Sequence, residues 1–503
     1  MFHRRRFLLG SPALALTVKA ERPMAGGFVF ESQQAGHRLR DRLPFEPPKR
    51  EEKHEVAIVG GGIAGLSAAW WLQRKGHDRW VVLESEPGAG GNSRWGRNEV
   101  SAYPWAAHYV PVPNKESHYV RELFAELGLV DAQGRWDERW LCHSPQERLF
   151  VHGRWSEGVD ADRHGTAEDR RQFQRFHDEV KALRATRRFT IPMAAGYRPS
   201  ELDRVTMHDW LRSRGFTSPA LDWEVDYSCR DDYGGGVRDV SAWAGLHYYA
   251  ARAGEEKGPL TWPEGNGWIL RRMLEKLLPL RVRTDAMARA ITRQGSGWRV
   301  RTPACDYLVK SVIFAAPTFL LPYVLDGFTQ KLDWQYSPWL TANLTIENAE
   351  ALGETAWDNV IYQSPSLGYV VATHQSLRRF EPRSVWTFYW ALTGDPVAQR
   401  RWLLGATWPD LRERILRELE RAHPAIRRHV SRMDIFRMGH AMRRPVPVLG
   451  PVLGPVLKTA PAVALPRALP PGIFLANSDL SGFSIFEEAQ YRGIQAAESL
   501  WRR

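Results

Sequence analysis

Apolar and polar positions along the 503-residue chain alternate in two rhythms. The run His54-Glu55-Val56-Ala57-Ile58-Val59 has the length and apolar density of a buried strand and stops at Gly60. Residues 66–75 then repeat apolar positions with helical period and end at Gly76, a helix stop. A second strand-like run, Trp80-Val81-Val82-Leu83, closes on Glu84. The same vocabulary returns later in the chain. Residues 119–129 and 267–278 read as helices, and 280–283, 287–291 and 307–316 as short strands, the last ended by Pro317. Strands alternating with helices in this way predict an α/β class with a parallel sheet.

Length and composition fit this picture. A chain of this size exceeds one hydrophobic core, and 43% apolar with 25% charged residues is the balance of an ordinary globular protein. Its formal charge of +12 comes from scattered arginines such as Arg170-Arg171, Arg187-Arg188 and Arg443-Arg444. They form no run interleaved with aromatics, so a solvated surface is expected rather than a nucleic-acid partner. Cys142, Cys229 and Cys305 are far apart with no C-x-x-C pair, which excludes a disulfide scaffold and a zinc site; no metal is expected.

The first 20 residues read as an address. Arg4-Arg5-Arg6-Phe7-Leu8 precedes an apolar run of about 12 residues, short of the roughly 18–20 that span a bilayer, and Val18-Lys19-Ala20 offers a cleavage site. The order resembles a twin-arginine export signal, implying the export machinery as a partner and a periplasmic or otherwise exported location. Residues 21–53 read as a polar tether. The four-residue repeat over 447–458 places proline at every fourth position, which rules out a membrane helix and suggests a surface loop.

The chemistry concentrates at Gly60-Gly61-Gly62-Ile63-Ala64-Gly65, set between strand and helix. Gly60 permits the tight turn, Gly62 leaves room for a pyrophosphate, and Gly65 lets helix and strand pack closely. The helix start then offers unpaired N–H groups to the phosphates. Glu84, at the tip of the second strand, suits ribose hydroxyls and disfavours a 2′-phosphate.

The continuation Glu84-Ser85-Glu86-Pro87-Gly88-Ala89-Gly90-Gly91-Asn92-Ser93 resembles the second glycine pair of the flavin amine oxidase, phytoene desaturase and protoporphyrinogen oxidase superfamily. The resemblance implies a Rossmann-like FAD-binding domain with a glutathione-reductase-type parallel sheet, formed by 54–110, 260–320 and 436–503, with 472–479 and 482–493 as its closing strand and helix, interleaved with an α+β substrate domain over 111–259 and 321–435. It also implies non-covalent FAD, since no Cys lies near the closing segment. Where the family usually carries two arginines this chain has Glu86 and Asn92, with Arg94 a substitute. Pro104 to Tyr109 is similar to the family's flavin-approaching segment, with small Ala106 and Ala107 at the isoalloxazine edge and His108 as the candidate catalytic residue. By the same resemblance Ala288 meets the adenine, Asp479 the ribityl chain, and Phe486 opens the helix aimed at the flavin's pyrimidine edge. The expected cofactor set is therefore Gly60, Gly62, Ile63, Ala64, Gly65, Glu84, Ser85, Gly90, Gly91, Asn92, Ser93, Ala106, Ala107, Ala288, Asp479 and Phe486.

The substrate is less legible. The segment 226–236 reads as a loop gathering charge before a triple glycine, where Asp231 or Asp232 could face a cation beside Tyr233 or Trp243. The alternative is a capping Asp with an internal ion pair to Arg230; His247 reads as part of a buried helix face. A lysine that family amine oxidases commonly keep is missing from 337–346, and Lys331 lies just before that stretch. Three functions remain open: hydride transfer from an amine, possibly a polyamine, to FAD; oxidation or isomerisation of a C–C bond; or a flavin-binding accessory role without turnover.

Overall fold

The computed structural model describes residues 24–252, 258–330, 332, 334–376, 381–447 and 469–501. The export signal, Lys331 and nearly all of the proline repeat lie outside the described residues.

A five-stranded parallel sheet carries the first domain. Val56–Val59 sits at its centre between Trp80–Leu83 and Ser311–Phe314, with Val282–Arg283 and Ile473–Leu475 at the edges. Trp80–Leu83 is buried along its whole length, as expected of a parallel strand covered on both faces. The helix Ile63–Arg74 is buried from Ile63 through Leu72, because the sheet covers one side and the closing helix Phe486–Glu498 crosses the other. Gly493 lies at that crossing: a Cβ there would stand 2.1 Å from the Ala64 carbonyl oxygen. At Gly65 a Cβ would stand 1.9 Å from the Gly60 oxygen, which is the close strand–helix approach the motif anticipates. A four-stranded sheet, Ala290–Gln294, Gly297–Arg301, Cys305–Val309 and Arg50–Lys53, packs beside it.

The second domain is backed by an eight-stranded mixed sheet. Val430–Arg443, Tyr336–Ile346 and Ser384–Ala391 form its long antiparallel centre, and Glu147–Val151 pairs in parallel with Asp358–Ile361 near one end. Helices including Ala167–Ala185, Pro219–Tyr233 and Ala242–Ala251 build a separate apolar cluster of this domain. Among the described residues no helix is long and apolar enough to cross a membrane.

Three readings change. The tether expected over 21–53 is structured from residue 24. Ala25–Val29 forms an edge strand in parallel with Val430–Arg443, Gln33–Arg40 is a helix, and Arg50–Lys53 joins the four-stranded sheet. Its polar composition misleads because these elements bury little: Leu39 is the single buried residue of the helix. The segment 226–236 is mostly helix rather than loop. Ser218 caps the N-terminus of Pro219–Tyr233, and Gly234, in the left-handed region at φ 65°, ends it. The strand Val430–Arg443 runs straight through the boundary expected at 435/436.

Candidate active site

Two cavities meet at the junction of the domains. The first, of about 460 Å³, is lined by both glycine motifs. Gly60 (φ +109°) makes the turn where a Cβ would press to 2.7 Å on the Ala316 nitrogen. Gly62 faces the second motif across an open channel, where a Cβ would meet nothing nearer than Gly91 Cα, at 3.8 Å. The helices Ile63–Arg74 and Phe486–Glu498 both start at this cavity, and neither has a side chain capping its first N–H groups. Two positive helix ends with free donors over a glycine channel fit a pyrophosphate and an electron-rich ring edge.

Most of the expected cofactor set lines this cavity: Gly60, Gly62, Ile63, Ala64, Glu84, Ser85, Gly90, Gly91, Asn92, Ser93, Ala107, Ala288, Asp479 and Phe486. Gly65 does not; it serves the packing under the loop. Ala106 does not either; it packs with the second domain's apolar cluster. Glu84 is buried, and its Oε2 accepts the Gly61 N–H at 2.8 Å while Oε1 accepts Ser85 Oγ and the Glu86 N–H. These bonds fix the strand tip against the phosphate loop. Arg94 lines the cavity with its guanidinium over the Phe30 ring, and its buried Nε has no hydrogen-bond partner among the described residues. Asp479 Oδ2 accepts the Thr318 N–H at 2.8 Å and the Tyr336 hydroxyl at 2.7 Å, and Arg443 donates to its carbonyl oxygen. Burial pushes the Asp479 carboxyl above its ordinary range.

The second cavity, of about 490 Å³, begins where the first ends. Ala107 lines the one and His108 the other; Phe486 and Glu487 divide in the same way. Its walls are aromatic and acidic. His108 stacks on Tyr389 with ring centroids 4.7 Å apart and lies near Trp357 and Tyr109. Burial pushes His108 down to about 4, so at neutral pH it is an uncharged wall rather than an acid. Five carboxylates line the cavity: Glu147, Asp231, Asp358 and Glu487, and Glu116 from an exposed position. Glu147 and Asp358 stand directly opposite in paired strands. Burial first, then this mutual repulsion, pushes Asp358 well up. Burial, reinforced by Asp232, pushes Asp231 up to about 7, and burial does the same for Glu487. Among the described residues Arg252 is the one cation on the inner wall, and it is already committed to Asp232 at 2.7 Å. Lys115 lines the cavity from an exposed position.

The sequence expectation about a cation thus divides. Asp231 faces the cavity, whereas Asp232 is paired with Arg252, and Tyr233 and Trp243 lie in the helical core. Arg230 pairs with Asp226 at 2.9 Å. His247 is buried, as expected, with its Nε2 2.9 Å from the Thr190 carbonyl oxygen. Sequence reasoning missed Tyr336, Arg443, Glu147 and Asp358, which no local motif marks; Glu487 was read only as a helix-start acid. Among the described residues no group of three or more His, Cys, Asp or Glu side chains is placed to hold a metal ion.

These features define a class: a dinucleotide-binding α/β protein whose chain leaves its nucleotide domain twice to build a second, sheet-backed domain over it. Residues 58–127 match the NAD(P)-binding Rossmann-like domain. The L-amino-acid oxidase BjussuLAAO-I of Bothrops jararacussu is 42% identical over 119 residues, 20% of this chain and 23% of that protein. The chain therefore matches about a quarter of that relative's length. A putrescine oxidase bound to putrescine superposes with a TM-score of 0.66 at 16% identity, over 90% of this chain and 100% of that one. A CLA-producing fatty acid isomerase from P. acnes does so with a TM-score of 0.61 at 13% identity, over 89% and 99%. The chain shares its fold with these two enzymes.

Proposed function

We propose that the protein is an FAD-dependent oxidoreductase acting on an amine, with the second cavity as its substrate site. The observation that carries this reading is the set of carboxylates Glu147, Asp231, Asp358 and Glu487, with Arg252 already paired to Asp232, in an aromatic cavity that adjoins the dinucleotide cavity. Such a cavity favours an ammonium over an apolar or anionic ligand. It suits a substrate with more than one positive charge, since Glu487 stands beside the cofactor cavity while Glu147 and Asp358 sit on paired strands of the sheet.

FAD, when bound, supplies the hydride acceptor. The chain's residues do the rest. Glu487, held near neutrality, takes a proton from the bound ammonium and leaves the neutral amine that can give up hydride. Asp231 and Asp358 hold the cation, and His108, Tyr109 and Trp357 confine it. Cys142, Cys229 and Cys305 are buried away from the dinucleotide cavity, which supports non-covalent binding of the flavin. The basic, apolar and small-residue order of positions 1–20 supports export of the folded protein.

The test is an absorption spectrum of the purified protein followed through anaerobic titration with monoamines, diamines and polyamines. Bleaching of a bound-flavin spectrum by an amine is the expected result. A flavin untouched by every amine but reduced by an unsaturated lipid or porphyrinogen would transfer the cavity to C–C chemistry. A flavin that nothing reduces would make this an accessory protein.

A further inference from the structure

The dinucleotide cavity has a wall that belongs to neither glycine motif. Ser32, Gln33, Ala35, Gly36 and Leu39, all from the segment around the helix Gln33–Arg40, line it on the side of Glu84, Ser85, Glu86 and Ala288. The segment is tied down at both ends. Upstream, Ala25–Val29 adds a parallel strand to the edge of the eight-stranded sheet. Gly26 (φ +131°) passes so close to that sheet that a Cβ would stand 1.9 Å from the Met433 carbonyl oxygen. Glu31 pairs with Arg437, whose guanidinium also lies 3.7 Å over the Phe28 ring. Downstream, Leu39 is buried in the cluster that includes Val59, Leu83 and Ala288, and Arg50–Lys53 pairs with Cys305–Val309 of the other sheet. The helix therefore bridges the two domains across the cavity.

We propose that residues 24–40 are a cofactor strap that closes over the adenosine half of the bound dinucleotide and sets how slowly it leaves. Ser32 Oγ donates to Glu86 Oε1 at 2.5 Å, so the acid at 86 is met by the strap. Enclosure by the strap adds to the phosphate binding offered by the glycine loop. It slows dissociation more than it changes association, because the strap must detach before the ligand can leave. By thermodynamic reciprocity, a strap that holds the cofactor is held by it. The proposal rests on the first cavity being the dinucleotide site.

Two measurements on the full chain test it. The rate of flavin release after dilution, read by fluorescence, is compared for wild type, Gly26→Ala, the exposed pair Glu31→Ala with Ser32→Ala, and Gly27→Ala. A Cβ at Gly27 meets nothing within 4 Å, so that variant is the matched control. Release is expected to quicken about tenfold in Gly26→Ala and in the Glu31/Ser32 pair, and to stay at the wild-type rate in Gly27→Ala. Separately, trypsin cleavage after the exposed Arg38, Arg40 and Arg42 is timed with flavin bound, stripped and restored; stripping should speed cleavage about tenfold and restoring should reverse it. If Gly26→Ala does not fold, the Glu31/Ser32 pair decides, since both side chains sit on the surface. Wild-type release from every folded variant, or cleavage indifferent to flavin, overturns the strap alone. A wild type that holds no flavin and takes none up overturns the cofactor reading and the strap with it.

Discussion

The two cavities are neighbours built on opposite plans. The dinucleotide cavity is walled by backbone: glycines at Gly60, Gly62, Gly90 and Gly91, and two uncapped helix starts. Its carboxylates Glu84 and Asp479 are held by hydrogen bonds within the chain. The adjoining cavity is walled by side chains from distant parts of the chain, and its carboxylates crowd one another. Backbone N–H groups at a helix start cannot be titrated and barely move, which suits a cofactor bound permanently in one pose. Clustered carboxylates held above their ordinary range exchange protons near neutrality and bind a cation only on demand, which suits a substrate that must arrive and leave. Permanence and exchange are thus written in different chemical materials on either side of Ala107–His108.

The comparison can be broken most sharply at Gly62. Its φ is ordinary and its surroundings open, so Gly62→Val should fold with near-native circular dichroism. The new side chain would nevertheless fill the channel opposite Gly91, and flavin affinity should fall by about a hundredfold or more. Wild-type flavin content in that variant would mean that the phosphates lie elsewhere.

The acid-lined cavity should respond in the opposite sense. Asp231→Asn is expected to leave flavin content unchanged and to raise KM for a diamine by about 10–100-fold. An equal loss of kcat with KM unchanged would contradict the role of holding a cation. Acidification should mimic this variant. Asp231 and Glu487 are pushed up to about 7, so below that pH they become neutral, and KM should rise roughly tenfold per pH unit lost once one carboxylate governs binding. Stability should move the other way. The folded values exceed those of the unfolded chain, about 4 for such groups, so folding favours the neutral forms. That contribution is present at acid pH and is lost as pH rises through about 7. Thermal unfolding without amine should therefore begin earlier at pH 8.5 than at pH 6, and a bound diamine should narrow the gap.

The smallest effect is expected at Tyr336→Phe. Removing one hydrogen bond to buried Asp479 should cost about 1–2 kcal/mol of stability, read in the denaturant midpoint, with the amine KM untouched.

How much of this was legible in the sequence follows from the same contrast. A phosphate loop is a local device: strand, glycine turn, helix and acid fall within 54–84, and their spacing alone announces them. The closing segment around Asp479 and Phe486 was reached by resemblance because it too is contiguous. Glu147 and Asp358 were not legible, since each looks like an ordinary strand-edge acid until parallel pairing sets them side by side. Asp231 and Asp232 could not be told apart in sequence; helical geometry turns one toward the cavity and the other toward Arg252. The segment 24–53 escaped because edge strands and a one-sided covering helix need few apolar residues to dock.

The sequence by itself determined the α/β class, the dinucleotide loop and most residues that line its cavity, because turn geometry and backbone donors depend on neighbours in the chain. Only the tertiary structure decided which carboxylates share a cavity, which cation is already spent, and where the N-terminal segment lies. Charge pairing and enclosure depend on distances between segments far apart in the chain, and those distances exist only once the two sheets have closed on each other.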